Sequence, residues 1–364
     1  MPKKKTEETP PQSLDELIKE INKKHGDNTI GFINQMPTLN IERLSSGSIW
    51  LDYSLGGGWP LTRVVELFGA FSSGKTLISL KTIVEAQKRG YQCAFIDCEN
   101  TFDPRFATKI GIDLNKLLIT QSSLGEPTVD MICALIQAGV KVIVVDSVAA
   151  LVPSSEVTNP MEQQTIGLHA RLMSKALRKM TALNQESLII FINQQRENVG
   201  GFSPYGPSLT TTGGRALGFY ASVRVEVKRG EDIEEQKQKI GQVIKFKVQK
   251  NKTSTPFKSG YIRYMYENYD FDYIDEAISL GLILGVIEQH GAYYDLSYTN
   301  DKGEKKDFRL QGRSALDAEL RNDAELYKSL KEKILTYELT KEETKSEDVR
   351  TVEEEQPVEK KGKK

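Results

Sequence analysis

Apolar residues in this chain follow two patterns. Four runs of strand length are almost wholly apolar: Val64-Val65-Glu66-Leu67-Phe68, Cys93-Ala94-Phe95-Ile96, Val142-Ile143-Val144-Val145 and Leu188-Ile189-Ile190-Phe191-Ile192. Continuous rather than alternating runs suit strands covered on both faces, as in a parallel sheet. Between the runs, apolar positions recur at helical spacing. From about Thr76 to Arg89, Leu77, Leu80 and Val84 share one side, basic residues fill the last turn and Gly90 follows as a terminator. Such alternation predicts an α/β domain over 45–271, a mostly parallel sheet with helices on both faces.

The flanks read differently. Residues 1–12 carry three prolines and mixed charge and predict a disordered tail. A helix is expected from Ser13, which can cap it, with Glu16 at the capping-box spacing. Leu14, Leu17, Ile18 and Ile21 form its apolar stripe and Gly26 its end, so 13–44 reads as an N-terminal helix and linker. That stripe must be buried on its own domain or on a neighbouring copy. Over 272–336 a helix (Ile274 to Leu284), a short strand (Gly291 to Tyr294) and a second helix (Ala315 to Leu335) predict a small α+β C-terminal domain. Residues 337–364 are a charged tail, acidic between Glu342 and Glu359 and basic at Lys360-Lys361-Gly362-Lys363-Lys364.

Charge and cysteine content narrow the classes. There are 49 basic against 50 acidic side chains, a net charge of −1, which excludes a global polyelectrolyte but leaves room for a local basic surface. Cys93, Cys98 and Cys133 have no CxxC spacing and read as small buried hydrophobes. No run approaches about 18 apolar residues, and the first 12 residues lack the apolar core of a secretory signal. The expected compartment is the cytoplasm, with no membrane partner.

The chemistry begins at Gly69-Ala70-Phe71-Ser72-Ser73-Gly74-Lys75-Thr76. This is GxxxxGK[ST] between a predicted strand and a predicted helix, the context a phosphate-binding loop requires. Its backbone N–H groups and the helix N-terminus suit phosphate, Lys75 adds a point charge, and Thr76 offers a hydroxyl to Mg²⁺. The bland alternative is a chance glycine turn. Each later strand then runs into polar residues: Asp97 and Glu99, Asp146-Ser147, Asn193-Gln194. Ligands in open parallel sheets bind beyond these strand ends. Asp146 is the expected metal-side carboxylate, Glu99 is placed to orient and deprotonate a water, and Gln194 to sense the γ-phosphate.

Beyond the site, 195–212 is a Gly, Pro, Ser and Thr-rich loop starting directly after Gln194. Arg171, Lys175 and Arg178 form a basic stripe on the helix over 167–183, a solvated face or a track for a phosphate backbone. Lys250 and Lys252 share one face of an extended segment, either as solvent lysines or as cations aimed at a phosphate.

Six stretches together resemble the bacterial RecA recombinase family over roughly 13–336: GAFSSGKT (69–76), CAFIDCENTFDP (93–104), VIVVDSVAALVP (142–153), LIIFINQQR (188–196), TTTGGRALGFYASVR (210–224) and VQKNKTSTPF (248–257). The resemblance implies a RecA-like P-loop NTPase core and a helical filament on single-stranded DNA, with ATP and Mg²⁺ between protomers. It implies DNA-stimulated ATP hydrolysis, homology search and strand exchange with homologous double-stranded DNA in recombinational repair. Carried over by position, Gly69 to Thr76 with Leu77 holds the phosphates, and Thr76 and Asp146 the metal. Glu99 is then the hydrolytic base and Gln194 the sensor. Asp103, Phe106 and Tyr266 fall at the adenine, with Phe106 where a tyrosine is usual. Lys250 and Lys252 match the pair that reaches the neighbour's γ-phosphate, and Phe219 and the N-terminal helix match the self-association surface.

The DNA loops fall at about 156–167 and 195–212, with Ile166, Arg171, Arg178, Arg196, Val199, Gly213, Gly214 and Arg215 near the strand. Departures include Asn198 where a basic residue is usual, Arg215 where asparagine is usual, and Gly218 where lysine is common. A repressor undergoing self-cleavage stands as a further candidate partner. The rival readings are a recombination mediator, a ring-type DNA motor on the same core and, more distantly, a small-molecule kinase.

Overall fold

A computed structural model of the protein describes residues 13–26, 29–32, 41–158, 167–197, 209–211, 214–299 and 304–337. The expected tail segments 1–12 and 338–364 lie outside the described residues. In the N-terminal unit (residues 1–42), helix α1 (Leu14–His25) starts as expected: Ser13 Oγ accepts from the Glu16 N–H at 3.2 Å, and Gly26 closes the other end. The Asn22 side chain both donates to and accepts from the Ile30 backbone at 2.9 Å, folding the chain back on α1.

The second unit spans 43–364. Its elements run β1 (Arg43–Leu44), α2 (Ile49–Leu55), β2 (Trp59–Pro60), β3 (Val64–Gly69), α3 (Lys75–Lys88), β4 (Cys93–Asp97), α4 (Pro104–Ile110), β5 (Leu117–Thr120), α5 (Gly125–Gln137), β6 (Val142–Asp146), α6 (Ser154–Thr158), α7 (Leu168–Leu183) and β7 (Leu188–Glu197). They continue through β8 (Leu209–Thr211), α8 (Ala216–Tyr220), β9 (Val223–Glu235), β10 (Gln238–Asn251), β11 (Ser259–Met265), β12 (Asp270–Phe271), α9 (Tyr273–Leu284), β13 (Glu288–His290), β14 (Tyr293–Thr299), β15 (Lys305–Gln311), α10 (Arg313–Asn322) and α11 (324–337).

The main sheet has the order β12-β11-β10-β9-β3-β7-β6-β4-β5, with β8 paired to β7. From β9 through β5 neighbouring strands are parallel; β10, β11 and β12 extend the sheet antiparallel. The apolar runs are explained by burial on both sides. Val65, Leu67, Cys93, Phe95, Val142, Val144, Leu188 and Ile190 pack with α2, α3 and α9 on one face. Val64, Ala94, Ile96, Ile143, Val145, Ile189 and Phe191 pack with α5 and α7 on the other. Alternate residues of each strand thus enter opposite clusters, as the pleat requires. The first cluster continues through α9 to Leu316, Leu326 and Ile334 of the C-terminal segment.

Three expectations need correction. The strand expected at Gly291 to Tyr294 begins at Tyr293, runs to Thr299 and is the centre of a three-stranded antiparallel sheet with β13 and β15. The helix expected from Ala315 to Leu335 is two helices: Asp323 Oδ1 accepts from the Leu326 N–H at 2.9 Å and so caps α11. The stems of the expected loop 195–212 are strands, with Gln195, Arg196 and Glu197 opposite Thr211, Thr210 and Leu209.

Candidate nucleotide site and DNA-facing elements

The parallel register gathers the chemistry at one edge of the sheet. Gly69 of β3 stands opposite Gln194 of β7, and Asp97 of β4 opposite Asp146 of β6. Behind β3 the chain turns through the glycine-rich loop into α3. A Cβ at Gly69 would come within 2.0 Å of the Val227 carbonyl oxygen, so only glycine fits there. Gly74 has φ +100°, in the left-handed region, and opens α3. The Lys75 ammonium crosses the loop's mouth and donates to the Ala70 carbonyl at 2.6 Å and the Gly69 carbonyl at 3.2 Å. Burial lowers its pKa, while the nearby Asp146 and Glu99 carboxylates oppose that shift. Leu77 turns its side chain into the core, which leaves its backbone as the part available to a phosphate.

Thr76 Oγ1 donates to Asp146 Oδ2 at 2.7 Å. Burial pushes the Asp146 carboxyl up to about 6 against the Thr76 hydrogen bond, and Glu99 and Asp97 push it the same way. A hydroxyl and a carboxylate touching at the loop are hard oxygen donors of the kind Mg²⁺ takes alongside phosphate oxygens and water. Glu99 sits on a tight turn held by its neighbours. Asp97 accepts from the Thr101 N–H at 3.1 Å and the Phe102 N–H at 3.0 Å, and the Cys98 N–H donates to the Asp146 carbonyl at 2.7 Å. Glu99 Oε1 accepts from Gln194 Nε2 at 2.8 Å and also from Ser147 Oγ. The structure therefore brings Lys75, Thr76, Glu99, Asp146 and Gln194 into one cluster.

The residues expected at the adenine come from α4 and from the end of β11. Asp103 caps α4, accepting from the Arg105 N–H at 2.8 Å. Phe106 meets Tyr269 edge-on, ring centroids 6.2 Å apart, and Lys109 Nζ lies 4.8 Å from the Tyr269 ring centre. Tyr266 packs instead on Tyr264 at 5.7 Å. Tyr269 was not singled out in the sequence; it follows a polar stretch that carries no apolar period. Cys93, Cys98 and Cys133 are free and buried, as expected.

Lys252 lies at the far end of the sheet and Lys250 level with the middle of β3. Lys250 pairs with Arg224, and Arg224 stands opposite Glu66 of β3. Lys252 donates its N–H to the Ser222 carbonyl, whose own N–H bonds Val64 at the start of β3. Gly69 is five residues further along that strand, about 16 Å away. Lys250 Nζ caps α8, donating to the Gly218 carbonyl at 2.8 Å and the Phe219 carbonyl at 3.1 Å. Desolvation lowers its pKa, helped by Lys252 and Arg224. The Phe219 side chain is 70 % exposed. A fully buried Glu66, missed in the sequence because it interrupts an apolar run, ties this end together by binding Arg224 and accepting from Asn193 Nδ2 at 2.8 Å.

Among the DNA-side candidates, Arg171, Lys175 and Arg178 line the exposed face of α7 above buried Leu172, Met173, Ala176 and Leu177. A Cβ at Gly214 would meet Ala170 Cβ at 3.0 Å, so Gly214 lies against the start of that helix. Arg215 follows, exposed, at the start of α8. Arg196 pairs with Thr210 through its backbone in β7. Ile166, Val199 and Gly213 lie outside the described residues.

Comparison with known proteins points to one family. The RecA N-terminal domain model matches residues 12–269. Protein RecA of Mycoplasma mycoides subsp. mycoides SC is 44% identical over 325 residues, covering 88% of this chain and 92% of that protein. Protein RecA of Thermus aquaticus is 41% identical over 335 residues, 90% of this chain and 95% of its own. Protein RecA of Rickettsia massiliae is 43% identical over 287 residues, 78% and 82%.

Proposed function

This chain belongs to the RecA family, and from that premise we propose how its residues carry out the work of a DNA-dependent ATPase recombinase in recombination and repair. The protein binds nucleotide, binds DNA and associates with itself. The nucleotide is ATP, cradled by Gly69, Ala70, Phe71, Ser72, Ser73, Gly74, Lys75, Thr76 and Leu77, with Asp103, Phe106 and Tyr266 on the adenine side. Mg²⁺, held by Thr76 and Asp146, supplies neutralisation of phosphate charge. Glu99 orients and deprotonates the attacking water.

The clustering of Glu99, Asp146 and Gln194 around the phosphate loop by strand register carries this reading. Lys250 and Lys252, set back along the sheet from their own loop, complete the site of the next copy. That makes ATP a bond between protomers in a helical filament, supported by Phe219 and by the apolar stripe of α1. Gln194 shares strand β7 with the stem of the second DNA loop, so engagement of the γ-phosphate is passed along one rigid element to the DNA grip. Single-stranded DNA is held through its backbone by Arg171, Arg178, Arg196 and Arg215, with Gly213 and Gly214 permitting close approach and Ile166 and Val199 entering between bases. Base pairing with homologous duplex supplies sequence recognition. The protein works in the cytoplasm, with 1–12 and 337–364 as tails, 13–44 as the oligomerisation helix and linker, 45–271 as the ATPase core and 272–336 as the C-terminal domain.

ATP hydrolysis measured with and without single-stranded DNA, followed by electron microscopy of the same sample, tests the reading. Stimulated hydrolysis with filaments is expected. Closed rings, or no assembly, would overturn it.

A further inference from the structure

Glu99 Oε1 accepts two side-chain hydrogen bonds, one from Gln194 and one from Ser147. The donors differ in freedom. Ser147 is 1 % exposed and follows Asp146, whose carbonyl accepts from the Cys98 N–H at 2.7 Å, so the backbones beneath Ser147 and Glu99 are tied together. Gln194 is half-buried, on a longer side chain, at the end of a strand that continues into the DNA-loop stem.

We propose that Ser147 is a positioning residue that holds Oε1 of Glu99 when Gln194 turns to the γ-phosphate, leaving Oε2 aimed at the attacking water. The inference rests on Glu99 being the base. An oxygen with two acceptor sites takes both donors at once, so with Gln194 in place Glu99 is held twice, and without it once. With no second donor the carboxylate would rotate freely about its last bond in the state that hydrolyses. The sensor can therefore move without loosening the base. Near-attack geometry is sensitive to displacements of this size.

Ser147→Ala and Ser147→Thr, compared in the full chain with single-stranded DNA, test this. Ser147→Ala is expected to lower kcat by about tenfold while the equilibrium Kd for ATP stays within about twofold. Ser147→Thr keeps the hydroxyl and restores kcat. Wild-type kcat in Ser147→Ala overturns the proposal. So does a loss of kcat matched by loss of ATP affinity and not rescued by threonine, which marks a structural role. Glu99→Gln separates the two readings: if it hydrolyses normally, the base assignment fails; if it is slow while Ser147→Ala is normal, only the Ser147 proposal fails.

Discussion

The two ends of the parallel sheet are built on opposite plans. At the carboxyl end every polar side chain of the site has a partner within the chain: Thr76 with Asp146, Lys75 with its own loop, Glu99 with Ser147 and Gln194. At the other end Lys250 holds the last carbonyls of α8 beside an exposed Phe219, and a groove of about 440 Å³ runs between Arg63, Asn184, Tyr220 and Lys252. Along β3, Gly69 is three residues beyond the level of Lys250 and five beyond that of Lys252, about 10 and 16 Å, longer than a lysine side chain can cross. One end gathers the polar groups of the candidate site; the other presents an exposed aromatic ring and an open groove. In the reading proposed above, these two unlike surfaces meet head to tail, a contact that gives open helices where the rotation between copies does not close.

Substitutions at the open end are expected to cost the most. Lys250→Ala with Lys252→Ala should remove DNA-stimulated hydrolysis by about a thousandfold, the scale of a charge supplied in trans. ATP binding by the dispersed chain should persist, and normal stimulation in a steady-state assay would show that one copy is enough. At the closed end, Glu99→Gln should slow hydrolysis by about a hundredfold or more while filaments still form on DNA, as read by microscopy. Lys75→Ala comes next. It removes a charge-assisted contact worth roughly 3 kcal/mol, on the order of a hundredfold in ATP affinity by equilibrium titration.

The smallest effect concerns Asp146. Burial holds its carboxyl up to about 6, so protons compete with Mg²⁺ below that pH. The magnesium needed for half-maximal ATP binding should rise toward tenfold per unit of pH as pH falls below about 6 and stay flat above 7. A requirement constant down to pH 5 would remove Asp146 from the metal site.

The closed end was the more legible of the two in the sequence. GxxxxGKT, and apolar runs ending in Asp97, Asp146 and Gln194, are local patterns whose spatial meeting follows from parallel register alone. What escaped notice depends on partners distant in sequence. Ser147 is one hydroxyl among many until β4 and β6 are aligned. Glu66 reads as a flaw in a strand until Arg224 and Asn193 arrive from β9 and β7. The strand Lys305–Gln311 carries mostly charged and exposed residues, so it shows little alternation. The break at Asp323 looks like helix interior, because aspartate both caps helices and occurs within them.

If one nucleotide site is assembled from two copies, DNA-stimulated hydrolysis should return in an equal mixture of Glu99→Gln chains and Lys250→Ala/Lys252→Ala chains, each nearly inactive alone. Where a doubly substituted chain offers its intact loop to the intact lysines of a Glu99→Gln neighbour, the junction is complete. Random assembly makes roughly a quarter of junctions so, and hydrolysis should recover to about that share of the unsubstituted rate. A mixture no more active than its components would contradict the claim.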